Sequence, residues 1–207
     1  MPGLGTRLAV ATAVLSALSA GIARSASLEF VPSSSTVDIG ERFQVQLRII
    51  GFPSPGAPSV GSYIINVFYD PLALFSDTLV FGDPILGNQL DPDGLGTLTD
   101  VFTGGGFITG SEDASFMTPA SSLNDNQAGS FVLFTIEFDA IGPGVSNLST
   151  VISSVRDAND NLLEVSNATG NVTVVPEPAA RLLLALALVG LAILRLRRTD
   201  APGAPLT

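Results

Sequence analysis

The fold class follows from one stretch, Phe43–Ile49, which reads FQVQLRI. Its apolar residues alternate with polar ones at a period of two, the period at which side chains point to opposite faces of a β-strand. A helix would instead place apolar residues three or four positions apart. The stretch is therefore predicted to be a strand with one buried face and one face in water.

Working outward, Val132–Ala140 repeats this alternation, and Tyr63–Tyr69 is more uniformly apolar, as expected of a central strand. Turn residues separate these runs, as at Asp38-Ile39-Gly40 and Gly142-Pro143-Gly144. Shorter strand candidates are Leu28–Val31, Leu79–Phe81, Thr97–Phe102, Asn147–Ile152, Leu162–Val165 and Asn171–Val175.

Between the termini no stretch has the period of a helix, so the sequence predicts an all-β sandwich. Thr103–Asn126 carries a weaker pattern, and its three glycines, Gly104-Gly105-Gly106, indicate a flexible or bulged loop.

Charge and residue usage exclude several functions. Residues 28–178 hold 18 acidic residues and three arginines, a net charge of −15, which repels phosphate backbones and disfavours nucleic-acid binding. The chain has no Cys and no His, so it forms no disulfide, no zinc site built on those residues, and no catalytic centre that needs a Cys nucleophile or a His base.

The N-terminus has the pattern of a secretory signal peptide, predicted over residues 1–27. Arg7 is followed by an uncharged apolar stretch, Leu8–Gly21, and then by small residues. Cleavage is expected within Ala23–Ser27. This pattern predicts an exported protein whose globular part occupies residues 28–174.

The C-terminus combines a short motif, an apolar run and basic residues. The motif is Val175-Pro176-Glu177-Pro178, and the apolar run Leu182–Leu194 has 13 residues, about 20 Å as a helix against roughly 30 Å of hydrocarbon core. A transmembrane helix over residues 180–197 is expected, with residues 199–207 as a disordered tail. The membrane-stop cluster Arg195, Arg197 and Arg198 would stay cytoplasmic and leave the domain outside.

In this order, the motif, the apolar run and the arginine cluster resemble the PEP-CTERM sorting signal of Gram-negative bacteria, over residues 175–198. The resemblance implies an exosortase partner that recognises Pro176-Glu177-Pro178 and processes the tail during export. Ala179 replaces the Ser or Thr common after the motif, and nine residues follow Arg198. An ordinary C-terminal membrane anchor is the alternative.

Residues 28–174 resemble the cohesin-like domains of such exported proteins. The resemblance rests on Val37-Asp38-Ile39-Gly40 before the strand at Phe43, on Gly61-Ser62-Tyr63 opening a strand that ends at Tyr69-Asp70-Pro71, and on Phe131–Asp139. It implies a jelly-roll β-sandwich of about nine strands. Cohesins bind dockerin modules, but the matched motifs are structural, so they assign no ligand-binding residue here.

Asp157, Asn159 and Asn161 occupy alternate positions, similar to the first ligands of a calcium loop. However, the sixth position is Leu162 instead of Gly and the twelfth is Ala168 instead of an acid. A strand–turn–strand connection is therefore favoured, and these three residues remain calcium candidates. No cofactor is expected.

The remaining acids do not define an active site. No spacing brings Asp91, Asp93, Asp100, Glu112 and Asp113 to one place, so a glycosidase pair of carboxylates is not indicated. No catalytic residue is assigned and the protein is not expected to be an enzyme. The twelve phenylalanines are interpreted mostly as core, and the absence of Trp weakens sugar stacking.

Two functions remain open. The first is a cell-surface or extracellular-matrix protein that is exported through an inner-membrane intermediate and makes non-enzymatic binding or adhesion contacts with surface proteins. The second is a module that binds extracellular polysaccharide and is presented in the same way.

Overall fold

The computed structural model describes residues 26–176, 186–189 and 191. Residues 26–176 form eleven strands and one helix, instead of about nine strands and no helix. Nine strands have seven residues or more, while β2 and β10 have only three and two. The elements are β1 (Ala26–Pro32), β2 (Thr36–Asp38), β3 (Arg42–Ile50), β4 (Val60–Phe68), β5 (Leu74–Phe81), β6 (Leu98–Gly104), β7 (Phe107–Asp113), α1 (Ala120–Asn126), β8 (Ser130–Ala140), β9 (Gly144–Asp157), β10 (Val165–Ser166) and β11 (Thr169–Val175).

The strands form two sheets. The five-stranded sheet has the order β10-β1-β3-β8-β5, and the six-stranded sheet has the order β2-β11-β9-β4-β7-β6. Most neighbours are antiparallel; β1–β10 and β2–β11 are the parallel pairs. The all-β prediction is confirmed.

The alternation in Phe43–Ile49 has the predicted consequence in β3. Val45, Leu47 and Ile49 are fully buried and point at the other sheet. The inward side chains of β8 and β4 complete the core, among them Phe134, Ile136, Ile65 and Val67. Because the chain has no disulfide, this packed apolar layer is the main source of stability.

Helix α1 was not predicted from the sequence. Its seven residues, ASSLNDN, are nearly all polar, and only Leu123 is buried, so no apolar period could reveal it. The helix leads into Gln127, whose amide Nε2 donates to the carbonyl of Val60 at 2.9 Å and whose Oε1 accepts from the Val60 N–H. The Gln127 side chain therefore fixes the start of β4 to the segment that follows the helix.

Each sheet has one outward face. The "paired face" belongs to β1, β3, β8 and β5 and contains Glu29, Val31, Arg42, Gln44, Glu137, Asp139 and Val80. The "open face" belongs to β9, β4, β7 and β6 and contains Ser62, Ile64, Asn66, Phe68, Leu98, Asp100, Phe102, Phe107, Thr109, Ser111, Asp113, Val151, Ser154 and Arg156.

The chain enters and leaves the sandwich at opposite ends. In β1, Ser27 pairs with Ile50, at the end that carries the long loops 83–97 and 114–129; we call it the loop end. Strand β11 finishes at the other end, where the carbonyl of Val175 accepts from the Ile39 N–H at 3.1 Å. This tail end also carries the turns 38–41, 69–73 and 141–144.

A candidate binding face

Three phenylalanines form a row across the open face. Phe102, Phe107 and Phe68 lie on neighbouring strands, with ring centroids 5.6 Å apart for the first pair and 5.9 Å for the second. Phe102 is 59% exposed and Phe68 is 41% exposed. Aromatic rings usually bury most of their surface, so a stacked row left in solvent marks a surface suited to binding.

The hairpin between β6 and β7 positions this row. Gly105 and Gly106 form a two-residue turn, and Gly106 has a φ of +94°, a conformation that favours glycine. Gly104 pairs with Phe107, and a Cβ on Gly104 would lie 2.5 Å from the Phe107 ring. The glycines predicted to form a flexible or bulged loop therefore form a tight hairpin that makes room for the aromatic ring.

A groove of about 410 Å³ adjoins the row on the open face. Its apolar walls include Ile64 and Leu98, and its carboxylates include Asp100 and Asp113. Arg156 also lines it and forms an ion pair with Asp160, N to O 3.1 Å. The face thus combines an apolar row with an acidic groove.

A buried carboxylate lies beneath the open face. Glu112 is 1% exposed, and its oxygens accept hydrogen bonds from the Tyr63 hydroxyl at 3.0 Å, the Thr97 hydroxyl at 2.7 Å and the Asn88 side-chain amide. These donors belong to β4 and to the loop between β5 and β6. Glu112 therefore ties that loop to the sheet that carries the aromatic row.

The Tyr63 hydroxyl is a buried titratable group in this network. Burial, and then the negative charge of Glu112, raise the pKa of Tyr63 well above its ordinary value. The hydroxyl also donates to the carbonyl of Leu133 at 3.2 Å. Tyr63 therefore stays protonated and serves as a hydrogen-bond donor within the fold.

The calcium candidates form the turn after β9. Asp157 Oδ1 accepts from the N–H groups of Asn159 and Asn161 at 2.8 and 2.9 Å, and the Asn161 side-chain amide donates to the same carboxylate. Desolvation disfavours the charged form, but these hydrogen bonds outweigh it and lower the pKa of Asp157. Within residues 26–176 no group of three His, Cys, Asp or Glu side chains is arranged to hold a metal.

Other acids also serve as acceptors for loop N–H groups. Asp91 accepts from Leu95 and Gly96, and Asp83 accepts from Ile85, Leu86 and Val132. Desolvation opposes ionisation of Asp83, but these hydrogen bonds and the charge of Arg48 prevail and lower its pKa. Much of the acidity thus stabilises turns.

The predicted sorting motif lies only partly within the described residues. Val175 is the last residue of β11, and Pro176 is exposed; Glu177, Pro178, Arg195, Arg197 and Arg198 lie outside. The predicted membrane helix is described only at residues 186–189 and 191, which are helical. Among the residues that the structure describes, no helix has the length and apolarity needed to cross a bilayer.

The two packed sheets form a β-sandwich. The outward face of one sheet carries this aromatic row and is suited to binding. Solved structures identify the sandwich as a cohesin-like fold. A non-cellulosomal cohesin of Archaeoglobus fulgidus matches 76% of this chain and 96% of its own, at 19% identity and a TM-score of 0.54. A type II cohesin of Acetivibrio cellulolyticus, solved in a cohesin–X–dockerin complex, matches 72% of this chain and 99% of its own, at 12% identity and a TM-score of 0.57.

A type I cohesin of Clostridium thermocellum, solved in a complex with a dockerin, is also similar, at 14% identity and a TM-score of 0.51; it covers 72% of this chain and 99% of its own. The sequence matches no protein-family model and no curated protein sequence. The comparisons therefore establish the fold.

Sequence reasoning missed the aromatic row of the open face. Phe68, Phe102 and Phe107 were grouped with the core phenylalanines, and Phe107 lay in a stretch with no assigned strand. One signal was present in the sequence: Phe68 follows Tyr63, Ile65 and Val67 by an odd number of positions, so it points away from their buried face.

Proposed function

We propose that this chain is an exported cell-surface or extracellular-matrix protein whose open face binds a protein partner without catalysis. The observation that carries the proposal is the aromatic row of Phe68, Phe107 and Phe102 at the tail end of the open face, in which Phe68 and Phe102 are exposed. Solvated aromatic area of this kind becomes favourable only when a partner covers it.

The cohesin-like fold supports a binding role. Similar cohesins are solved in complexes with dockerins, so this fold serves protein–protein contact in other proteins. The open face of this chain offers what such a contact needs, an aromatic centre beside a polar groove at Asp100 and Asp113. The partner is proposed to be another surface protein.

The face offers little for catalysis. The chain lacks Cys and His altogether, and one groove acid, Asp160, is paired with Arg156. Glu112 has its oxygens occupied by hydroxyl and amide donors inside the fold. A general acid or base needs access to a substrate proton, and Glu112, although it borders the groove, is only 1% exposed.

Export and sorting are supported by the two termini. The charged, apolar and small segments of residues 1–27 are typical of a secretory signal, and residues 175–198 carry the motif, apolar run and arginines of a sorting tail. We propose that an exosortase processes this tail from an inner-membrane intermediate. The mature protein then reaches the surface or the matrix.

Mass spectrometry of the mature secreted chain tests this route. We expect a C-terminus near Pro176-Glu177-Pro178, and an unprocessed, membrane-associated chain when Glu177→Gln is introduced. Glu164→Gln, an acid within the domain, is the matched control and should be processed normally. An intact Thr207 on the secreted wild-type protein would contradict tail processing.

The open face is tested by substitutions that remove its apolar area. We expect Phe68→Ser with Phe102→Ser to weaken partner binding by roughly 30-fold or more, the effect of losing at least one hot-spot residue. The control is Val31→Ser with Val80→Ser, which are 38% and 55% exposed on the paired face. A partner purified from the extracellular fraction is immobilised on a surface, and the affinity of each variant for it is measured.

Equal losses in both double variants would contradict the assignment of the open face. Thermal unfolding of each variant confirms that it is folded.

The alternative function, polysaccharide binding, is favoured by the same aromatic row because sugar rings stack on such surfaces. A glycan array in which a defined polysaccharide binds wild type but not Phe68→Ser with Phe102→Ser would establish that alternative.

A further inference from the structure

Two apolar side chains stand at the tips of turns at the tail end. Leu72 is 81% exposed and Ile141 is 51% exposed. Their turns touch, since the Ile141 N–H donates to the carbonyl of Ala73 at 2.8 Å and Gly142 packs against the carbonyl of Leu72. Asp70 Oδ1 accepts from the Leu72 N–H at 2.9 Å and holds that turn in shape. The two turns therefore hold two exposed apolar side chains at the same end of the sandwich, and we call this pair the apolar patch.

The chain leaves the domain beside this patch. The Ile39 N–H donates to the Val175 carbonyl, and the next residue, Gly40, donates its N–H to the carbonyl of Ala140 at 2.7 Å. Ala140 directly precedes Ile141. The exit of the polypeptide at Val175 and the apolar tip are thus connected through a single turn.

The remaining chain is too short to keep the tail end away from a membrane. Four peptide steps separate Pro176 from residue 180, where the sequence-predicted membrane helix begins, and they extend to at most about 14 Å. This reach exceeds the thickness of one interfacial layer of a bilayer, roughly 5–8 Å on each side beyond a 30 Å core, by less than about 10 Å. The tail end must then rest close to the headgroups.

We propose that Leu72 and Ile141 enter the interfacial layer of a zwitterionic bilayer while the C-terminal segment is held in the membrane. This inference rests on the proposed membrane intermediate. Contact at two tips, together with the short tether, would orient the sandwich with its strands upright and its open face turned sideways.

Charge at the tail end selects the lipid. Asp38, Glu41 and Asp70 lie in its turns, and Arg42 forms its ion pair with Asp139 at 2.8 Å. The end is therefore net negative and is repelled by anionic headgroups. A zwitterionic surface lets the apolar tips insert without that repulsion.

Tryptophan fluorescence provides the test, because the chain contains no Trp. The full chain is reconstituted in phosphatidylcholine vesicles with brominated acyl chains, carrying a single Leu72→Trp, Leu162→Trp or Leu188→Trp. Leu162 is 70% exposed and lies in the turn after β9 at the loop end, so it is the matched control. Leu188→Trp reports whether the C-terminal segment is inserted.

We expect quenching at Leu72→Trp to be several-fold greater than at Leu162→Trp, and to fall several-fold when anionic lipid is added. Ile141→Trp repeats the measurement if Leu72→Trp fails to fold. Quenching at Leu188→Trp without quenching at Leu72→Trp or Ile141→Trp would overturn this inference and leave the proposed function intact. Absence of quenching at Leu188→Trp would instead refute the membrane intermediate.

Two further outcomes also overturn the proposal. Stronger quenching at Leu162→Trp than at Leu72→Trp would mean that the loop end faces the lipid. If Leu72→Trp is shielded from aqueous iodide in native membranes but not in lipid vesicles, the apolar patch contacts a membrane protein instead of lipid.

Discussion

The paired face and the open face are built from the same kind of strand, but their outward side chains interact with one another differently. On the paired face, polar groups satisfy each other across strands: Arg42 donates to Asp139 at 2.8 and 3.0 Å, and Gln44 donates to Glu137 at 3.0 Å. The open face also has such a cross-strand pair, in which the Thr109 hydroxyl donates to Asn66 at 2.6 Å. Beside it the aromatic rings form a row, and the ion pair of Arg156 stays within the turn after its own strand.

This difference shows where a partner is needed. Cross-strand polar pairs are complete in water, so the paired face gains little from being covered. Aromatic rings at the surface keep apolar area hydrated until something packs on them. Solvent exposure alone does not separate the two faces, because both have exposed side chains; the separation comes from which of those side chains already have partners.

The largest expected effect concerns the support beneath the open face. Glu112→Ala leaves the Thr97 hydroxyl and the Asn88 amide without this acceptor and removes one of the two acceptors of the Tyr63 hydroxyl. This loss is expected to lower the free energy of unfolding by about 3 kcal/mol. Urea denaturation followed by circular dichroism measures the loss. Partner affinity should also fall, because the loop and β4 lose their connection.

The comparison variant is Glu29→Ala on the paired face, which removes a half-exposed ion pair with Arg48 of N–O distance 3.5 Å. It should change the free energy of unfolding by less than about 1 kcal/mol and leave partner affinity unchanged. If Glu112→Ala were as mild as Glu29→Ala, the open face would not depend on the buried carboxylate.

A smaller effect is expected from pH, and it acts on the two sheets in opposite directions. The lowered pKa of Asp83, which accepts from Val132 of β8, gives stability that is present above about pH 4 and is lost as pH falls through the folded pKa. The raised pKa of Tyr63 gives stability that is present below about pH 10 and is lost as pH rises further. Urea midpoints across this range measure both losses.

Single variants separate these contributions. Asp83→Asn should reduce the slope on the acid side of the profile, to which the lowered pKa values of Asp139 and Asp157 also contribute. Tyr63→Phe should reduce the slope on the alkaline side, to which the raised pKa of Tyr69 also contributes. Thr150→Ala removes an uncharged buried hydrogen bond to the Ala168 N–H, so it should lower stability without changing either slope. An acid slope that is unchanged in Asp83→Asn would show that other carboxylates control it.

The strands with a clear two-residue period could be predicted from the sequence. Phe43–Ile49 and Val132–Ala140 lie inside β3 and β8, at the centre of the five-stranded sheet, where burial on one side is strongest. Tyr63–Tyr69 overlaps β4, which is central as predicted. Its uniform apolarity, however, does not reflect burial on both sides, since Ile64 and Phe68 are exposed.

The strand candidate Thr97–Phe102 overlaps β6, but β7 and its pairing with β6 were not predicted, for a physical reason. β6 is an edge strand with nearly every residue exposed, so its sequence, LTDVFTG, carries no inside–outside alternation. In β7, the buried positions are Ile108, Gly110 and Glu112, a set that no hydrophobic pattern would select. The binding row therefore depends on strand pairing that only the folded structure reveals.

The opposite positions of Ser27 and Val175 have a mechanical consequence for export. The nine residues of β3 span roughly 30 Å, and this length separates the two exits of the chain. Under the proposed route, a precursor tethered to the bilayer by both its leader and its tail would have to lie with its strands parallel to the membrane surface. Removing the leader releases the loop end from the membrane. The domain can then rotate until its strands stand upright, which exposes the outward faces of both sheets.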